Sequence, residues 1–349
     1  MKATSLPATF AFLLLSMASH ATVWRVNSIP RFATTCATCK TVLQDAVTLA
    51  NPGDTIHVEA ATTAYGGIVV NKTLTIIGPG YNHGVAATQN PNLQADPKYA
   101  KISGITFSSL AENSVISGIY IMHNSTGGGT GLLINASHIT VDRCFFGFST
   151  NSIAVNIRIP STGISDINIR RCYLNSIVDD NNDNQIVTDL SITNNYFNGR
   201  IAFDAGDQFP NLLIANNTFN SNLANTFTNG TFVYNILAQG SVVLNNNDIH
   251  DNIAVSATGL PTTEGPTNQN GIIPLFVGTG SDDAKWKLQP NSPAIDYMDT
   301  NVQLGMYGGA NPYILSGIPA IPTIYQLQTT VSTTVGGTVD VTLSTKTNN

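Results

Sequence analysis

One short pattern recurs along the chain at intervals of 22 to 30 residues and restricts the possible folds more than any other feature. The shared pattern is an aliphatic residue at the centre, two turn-forming residues, an Asn or Cys, one residue of any type, and then Phe, Leu or Ile. The centres are Ile116, Val141, Ile169, Ile192, Ile214 and Leu244, and KTLTIIGPG around Ile76 resembles an earlier copy. A period in this range indicates a repeat architecture such as a solenoid or a propeller.

The content of each copy decides between these architectures. Helical and leucine-rich repeats need a helix or a leucine frame, and a propeller blade needs about 40 residues and four antiparallel strands. The copies here contain only short alternating strands and corner residues. The remaining solution is a parallel β-helix, in which each coil lays its strands about 4.8 Å above those of the previous coil. We therefore predict an all-β parallel β-helix with three short strands in each coil.

The Asn or Cys of the repeat falls at a corner of the coil. Asn tolerates the left-handed backbone of a tight corner, and amides stacked in register can hydrogen-bond to one another along the stack. We predict a structural ladder there, in which two cysteines precede the asparagines. The two cysteines are either buried free thiols or a disulfide between coils. Its predicted members are Cys144, Cys172, Asn195, Asn217 and Asn247.

The chain resembles the right-handed parallel β-helix, pectate-lyase-like superfamily over about residues 40–310. Residues 41–81 and 285–327 are similar to exported β-helix proteins of Bacteroidetes-type bacteria. The resemblance implies a short helix capping the N-terminal end of the solenoid and an irregular Gly/Pro-rich cap closing the other end. It also implies right-handed coiling, in keeping with the handedness of parallel crossovers.

The expected organisation begins with a secretory signal over residues 1–21. Lys2 precedes an apolar run, Ala8 to Ala18, that is too short to span a bilayer, and Ala21 suits cleavage. We therefore expect a secreted or surface-displayed protein without a transmembrane segment. The further segments are an N-terminal cap with a short helix (22–50), the coils (51–284), a C-terminal cap (285–322) and a hairpin-like tail or truncated sandwich domain (323–349).

The spacing Cys36-Ala-Thr-Cys39 is compatible with a redox motif, a zinc site or a local disulfide. A redox motif needs a βαβ context and zinc needs a second pair of ligands, neither of which the sequence contains. For an exported chain we expect the disulfide.

The charge of the chain limits its partners. Only 10% of the residues are charged, against about 25% in an average domain, and the net charge is −6. This charge argues against nucleic acid as a partner, since phosphate binding needs a clustered basic surface and no basic cluster is apparent in the sequence. We expect a monomer whose partner is a polysaccharide or a cell-surface glycan.

Acidic residues follow corresponding strands of two consecutive copies. Counting back from Ile192 and Ile214 brings Gln185 opposite Asp207. Carboxylates suit a hard cation such as Ca²⁺, and an arginine beside them could serve as a base or bind a uronate. The candidate metal ligands are Asp180, Asp183, Asp204 and Asp207, and the candidate catalytic residue is Arg200. Exposed corners also favour Asp and Asn for purely structural reasons.

Aromatic residues follow the corner asparagines. Phe197 and Phe219 are predicted to stack inside the core. Tyr173 and Tyr196 come one residue earlier in the pattern and are predicted to stack outward, where they could bind a sugar ring or only stabilise the sheet.

These observations leave three hypotheses for function. The first is an exported β-helix protein that binds carbohydrate or a surface without catalysis. The second is a polysaccharide lyase or glycoside hydrolase acting on an acidic polysaccharide, and the third is a structural spacer. The fold cannot choose between them, because function depends on the sites that a fold carries.

Overall fold

The computed structural model describes residues 21–34, 36–81, 96, 98–122, 130–147, 156–178, 184–204, 206–243, 246–261, 267–299, 301–331 and 338–347. These residues form a parallel β-helix with three sheets, named A, B and C here, and a separate antiparallel hairpin. The prediction of a parallel β-helix is confirmed. The right-handed sense of coiling stays a prediction.

The strands are numbered β1 to β28 along the described chain. In stacking order, sheet A contains β2 (Cys39–Lys40), β1 (Val23–Val26), β3 (Thr55–Val58), β5 (Thr75–Ile77), β8 (Val115–Ser117), β11 (Ile139–Asp142), β14 (Ile164–Arg170), β17 (Val187–Thr193), β20 (Leu213–Ala215), β22 (Thr231–Val233) and β24 (Asp248–His250). Sheet B contains β6 (Lys101–Ile102), β9 (Tyr120–Ile121), β12 (Phe145–Phe146), β15 (Tyr173–Leu174), β18 (Tyr196–Phe197), β21 (Thr218–Asn225), β23 (Ile236–Val242), β25 (Ile253–Ala254) and β26 (Gln269–Asn270). Sheet C contains β4 (Ile68–Val70), β7 (Ile105–Phe107), β10 (Leu132–Ile134), β13 (Ile157–Arg158), β16 (Ile177–Val178) and β19 (Ile201–Ala202).

The core lies inside the coil, where the aliphatic centres of the repeat stack in register. Ile76, Ile116, Val141, Ile169, Ile192 and Ile214 are paired one above the other and are fully buried. Phe197 and Phe219 stack inside sheet B with ring centroids 4.6 Å apart, as predicted. Alternation along each strand therefore directs one set of side chains into the core and the other set outward.

The last predicted repeat centre, Leu244, lies outside the described residues and is not part of the stack that those residues form. Phe232 and then Ile249 follow Ile214 in the stack of sheet A. The coils shorten here: equivalent corner residues are 18 and then 17 positions apart. In these coils the long strands β21 and β23 of sheet B pair with each other, and no separate strand of sheet C follows them among the described residues. Each coil therefore needs fewer residues than the repeat predicted.

An asparagine ladder runs along the corner between sheets A and B. The side-chain oxygen of each member accepts a hydrogen bond from the backbone N–H of the previous member, at 2.8–3.1 Å. The described asparagine members are Asn195, Asn217, Asn235, Asn252 and Asn268.

Asn247 does not belong to this ladder, which corrects the prediction. Its side-chain oxygen instead accepts from the Gly230 N–H at 2.9 Å, at the corner before β24. The error arises because the predicted repeat overlooked the short coil that contains Asn235.

Two buried cysteines continue the ladder at its start. Cys144 and Cys172 are free thiols with no measurable exposure. The backbone N–H of Cys144 lies 3.4 Å from the Cys172 Sγ, and the Cys172 N–H donates to Asn195 Oδ1 at 2.9 Å. Near the N-terminus, Cys36 and Cys39 form a disulfide.

The N-terminal end is covered by helix α1, Leu43–Leu49. Leu43, Ala46 and Val47 occupy one face of the helix and are buried with the core of the first coils. The helix ends where Asn51-Pro52-Gly53 cannot continue it. Within the described residues no helix has the length and hydropathy needed to cross a bilayer.

The C-terminal part holds short 3₁₀ turns and the hairpin. The turns are Ala284–Trp286, Tyr297–Asp299 and Leu315–Gly317, and a further one near the N-terminus is Pro30–Thr34. The hairpin pairs β27 (Thr323–Val331) with β28 (Val339–Lys346) in antiparallel register. Its apolar side chains, such as Leu327 and Leu343, are more than half exposed.

Candidate functional site

The outward tyrosines of sheet B are not available to a ligand. Tyr173 and Tyr196 stack in register, with ring centroids 4.2 Å apart, as the repeat predicts. They are nevertheless only 2% and 1% exposed. Trp286 packs on Tyr196 with ring centroids 4.7 Å apart, and Met306 and Tyr313 belong to the same apolar cluster. The proposal that these two tyrosines bind sugar is therefore corrected, because another part of the chain covers them.

Met306 and Tyr313 belong to residues 302–319, a segment named the strap here, which lies along the flank of the solenoid. The Gly305 N–H donates to Tyr234 O at 2.9 Å, and Asn194 Nδ2 donates to Gly308 O at 2.7 Å. Toward the other end of the segment, Arg143 Nη1 donates to Ile318 O at 2.7 Å. These contacts run past several successive coils, so this part of the predicted C-terminal cap lies along the side of the solenoid.

Buried Asp283 fixes the end of this strap. Its Oδ2 accepts from the Ser316 N–H at 2.6 Å, and its backbone oxygen accepts from the Tyr307 hydroxyl at 2.9 Å. Burial raises the pKa of Tyr307 and of Tyr313 well above the usual value for tyrosine, and nearby Asp283 raises both further. The strap is thus held by a buried polar cluster in addition to its apolar packing.

The acidic candidates are only partly brought together. Gln185 lies opposite Asp207 as predicted, and the Gln185 N–H donates to Asp207 Oδ1 at 2.8 Å. The Asp207 N–H donates in turn to Asp204 O at 3.2 Å. Asp180 and Asp183 lie outside the described residues. Across the part of the chain that the structure describes, no three His, Cys, Asp or Glu side chains form a possible metal site, so Ca²⁺ binding stays a prediction.

Arg200 and Asp204 lie on either side of strand β19 along the chain. Arg200 precedes β19, where its N–H donates to Ser176 Oγ at 3.2 Å, whereas Asp204 follows β19. Four residues of extended chain span about 13 Å. Arg200 and Asp204 therefore flank β19, and the part of the predicted cluster that involves Asp180 and Asp183 lies outside the described residues.

The outward row of sheet C is the accessible surface that sequence reasoning missed. One outward residue from each strand lies directly over that of the previous coil, as the strand registers show. Val69 at its beginning is 52% exposed, and the others are partly exposed. In stacking order the row contains Val69, Thr106, Leu133, Arg158, Val178 and Ala202.

Arg158 is the one charged residue of this row. Among the described residues its buried Nε has no hydrogen-bond partner and its guanidinium makes no ion pair. Leu133 lies below it and Val178 above it. The row therefore combines flat aliphatic surface with one cation that has no carboxylate among the described residues.

Comparison with protein-family models, with curated proteins and with solved structures gave no match to this chain.

Proposed function

We propose that the protein is exported and binds an acidic polysaccharide along the outward row of sheet C without cleaving it. The observation that carries this proposal is the half-buried Arg158, whose guanidinium has no ion-pair partner among the described residues. A buried charge without a partner is costly, and a ligand carboxylate would relieve that cost. Arginine suits this role because its planar group can bind both oxygens of a carboxylate.

The neighbours of Arg158 suit a sugar chain. Leu133 and Val178 present aliphatic surface to the C–H faces of sugar rings, and Thr106 offers a hydroxyl. Arg200 precedes the strand two coils beyond Arg158, so a second cation lies farther along the same sheet. Successive strands of a sheet are about 4.8 Å apart, which gives a spacing of about 10 Å over two coils.

The placement of Arg200 and Asp204 on opposite sides of β19 favours binding over cleavage. A lyase needs a base close to the carbon that loses its proton and a cation that neutralises the adjacent uronate. Here Arg200 precedes β19, whereas Asp204 follows it and is hydrogen-bonded to Asp207.

We further infer that the chain is a diverged, right-handed member of the pectate-lyase-like superfamily that has kept the coil and its ladder.

The first described coil supports export with cleavage after Ala21. Thr22 would then become the N-terminal residue, and its nitrogen lies 2.8 Å from Oδ1 of Asp54, which is only 3% exposed. Trp24 Nε1 donates to the other oxygen of Asp54 at 2.9 Å. Burial alone would raise the pKa of Asp54, but the hydrogen bonds from Thr22, Asn51 and Trp24 outweigh it and lower that pKa. A new ammonium group would pair directly with this carboxylate.

Affinity electrophoresis in gels containing polygalacturonate tests the binding proposal. We expect the wild-type protein to be retarded and Arg158→Gln to lose most of that retardation. Arg31→Gln, which removes the same charge from an exposed 3₁₀ turn, is the control and should behave as the wild type. Equal retardation of the two variants would refute a specific role for Arg158. Ultraviolet absorbance from unsaturated products would instead establish a lyase.

A further inference from the structure

Three arginines converge on a single carboxylate at the corner between sheets A and B. Asp142 ends strand β11 of sheet A, and Arg143 follows it. Arg170 and Arg171 occupy the same positions at the end of β14 in the next coil, because Asp142 and Arg170 are register partners. Arg143 and Arg171 both have left-handed backbone, with φ of 52° and 53°. Three of the seven arginines in the chain therefore meet in two stacked corners.

Asp142 neutralises only one of these cations. Arg171 binds it with both ends of its guanidinium, Nε to Oδ1 at 2.7 Å and Nη2 to Oδ2 at 2.8 Å. The Nε atoms of Arg143 and Arg170 lie 3.5 Å and 3.6 Å from the same carboxylate, and neither has a hydrogen-bond partner among the described residues. The cluster thus carries a surplus of two positive charges in a chain whose net charge is −6.

The three arginines differ in accessibility. The side chains of Arg143 and Arg171 are 10% and 12% exposed, whereas that of Arg170 is 41% exposed. Arg143 is further held by its hydrogen bond to Ile318 O. Burial lowers the pKa of Arg143; Asp142 acts in the opposite sense, and the other two arginines lower it again. Like charges held this close repel each other unless an anion lies between them.

The residues around the cluster suit an oxyanion. Ser117 lies below Asp142 and Thr193 lies above Arg170 in the same column of sheet A, so residues with hydroxyl groups precede and follow this part of the column. A structural ion pair linking two coils would need only Asp142 and Arg171. Arg170 adds a cation that this pair does not use, and it directs an accessible end of the cluster toward solvent.

We propose that Arg170, with Arg171 and Arg143 behind it, binds a phosphate or sulfate group. Arg170 supplies the accessible hydrogen-bond donors, and the surplus of two charges matches a doubly charged oxyanion. The site lies on sheet A, so it is separate from the proposed glycan row on sheet C. It would take either the free anion or a phosphorylated or sulfated saccharide.

Titration calorimetry at constant ionic strength tests the site with inorganic phosphate, inorganic sulfate and glucose 6-phosphate, and with glucose as a blank. We expect the wild type to bind the anions saturably and Arg170→Gln to bind them at least about tenfold more weakly. Arg170→Lys should keep part of the affinity, and Arg31→Gln should bind as the wild type. Binding of glucose 6-phosphate would identify an ester as a source, and binding of the inorganic anions alone would identify a free ion.

Thermal unfolding in chloride buffer separates an anion site from a merely structural cluster. Removal of a repelling cation should leave Arg170→Gln as stable as the wild type or more stable, while phosphate should no longer raise its melting temperature beyond the effect seen with a non-binding control salt. The proposal is overturned if the wild type shows no saturable binding of any of these anions. It is equally overturned if Arg170→Gln binds them as well as the wild type does.

Discussion

Replacement of Asn217 by alanine tests the asparagine ladder, on which the stacking of the coils depends. The Asn217 Oδ1 accepts from the backbone N–H of Asn195 at 2.9 Å and from Asn195 Nδ2 at 3.1 Å. Its Nδ2 donates to Ile192 O, Ala215 O and Asn235 Oδ1 at 2.8–3.1 Å. Asn217 has no measurable exposure, so water cannot replace these partners.

The expected loss of stability follows from the groups left behind. The Asn217→Ala variant would leave the buried N–H of Asn195 without its acceptor, at a cost of about 1–3 kcal/mol. The remaining bonds are only partly lost, since Asn195 Nδ2 still donates to Ile169 O and Asn235 Oδ1 still accepts from the backbone N–H of residue 217. With the small cavity included, we expect the free energy of unfolding to fall by about 2–4 kcal/mol.

Urea unfolding followed by circular dichroism measures this loss. Asn168→Ala is the matched control, because its side chain makes one exposed hydrogen bond, to Asp166 Oδ1 at 2.8 Å. We expect the control to change stability by less than about 0.5 kcal/mol. A loss below about 1 kcal/mol for Asn217→Ala, or equal losses in both variants, would refute the view that the ladder satisfies buried backbone groups.

Three further predictions follow from the described contacts. Cys172→Asn should extend the ladder toward Cys144 and raise the urea midpoint, because its amide would replace the weak contact of the Cys144 N–H with sulfur; a lower midpoint would contradict this. Burial raises the pKa of Tyr196 to about 12 and raises that of Tyr81 well above the usual value for tyrosine. Above about pH 10 the folded chain therefore keeps tyrosine protons that the unfolded chain loses. The free energy of unfolding should be constant below about pH 10 and fall above it, by up to about 1.4 kcal/mol per pH unit for each such tyrosine. An unchanged urea midpoint between about pH 9 and pH 11 would be inconsistent with a buried neutral cluster. The exported protein should begin at Thr22 by N-terminal sequencing, and retention of Ala21 should lower its melting temperature in the wild type but not in Asp54→Asn; equal melting temperatures with and without Ala21 in the wild type would remove the proposed pairing.

Local pattern was sufficient to predict the coil and most of its register. The centres from Ile76 to Ile214 could be aligned because an aliphatic residue and a polar corner recur together. The pattern failed where Phe232 replaced the aliphatic centre and the coil shortened. A repeat pattern that assumes three strands in every coil cannot detect a shorter coil that has no separate strand in sheet C.

The strap could not be predicted from local pattern. Gly305 and Ile318 contact coils that are far away in sequence, and nothing in their own neighbourhood indicates which flank they cover. Tyr173 and Tyr196 were therefore assigned correctly to an outward column but incorrectly to an accessible surface. The arginine cluster, in contrast, was within reach of the sequence, because aligning Val141 with Ile169 places Asp142 and Arg143 beside Arg170 and Arg171.

Binding of oligogalacturonates of increasing length tests the central proposal, an acidic glycan on sheet C, most directly. The six outward residues of the row extend over about 24 Å at the usual strand spacing. We predict that the affinity of the wild type rises with oligomer length until the ligand spans this row and then levels off, and that Arg158→Gln loses this dependence while Arg31→Gln keeps it. An affinity independent of length, or the same length dependence in Arg158→Gln as in the wild type, would contradict the account.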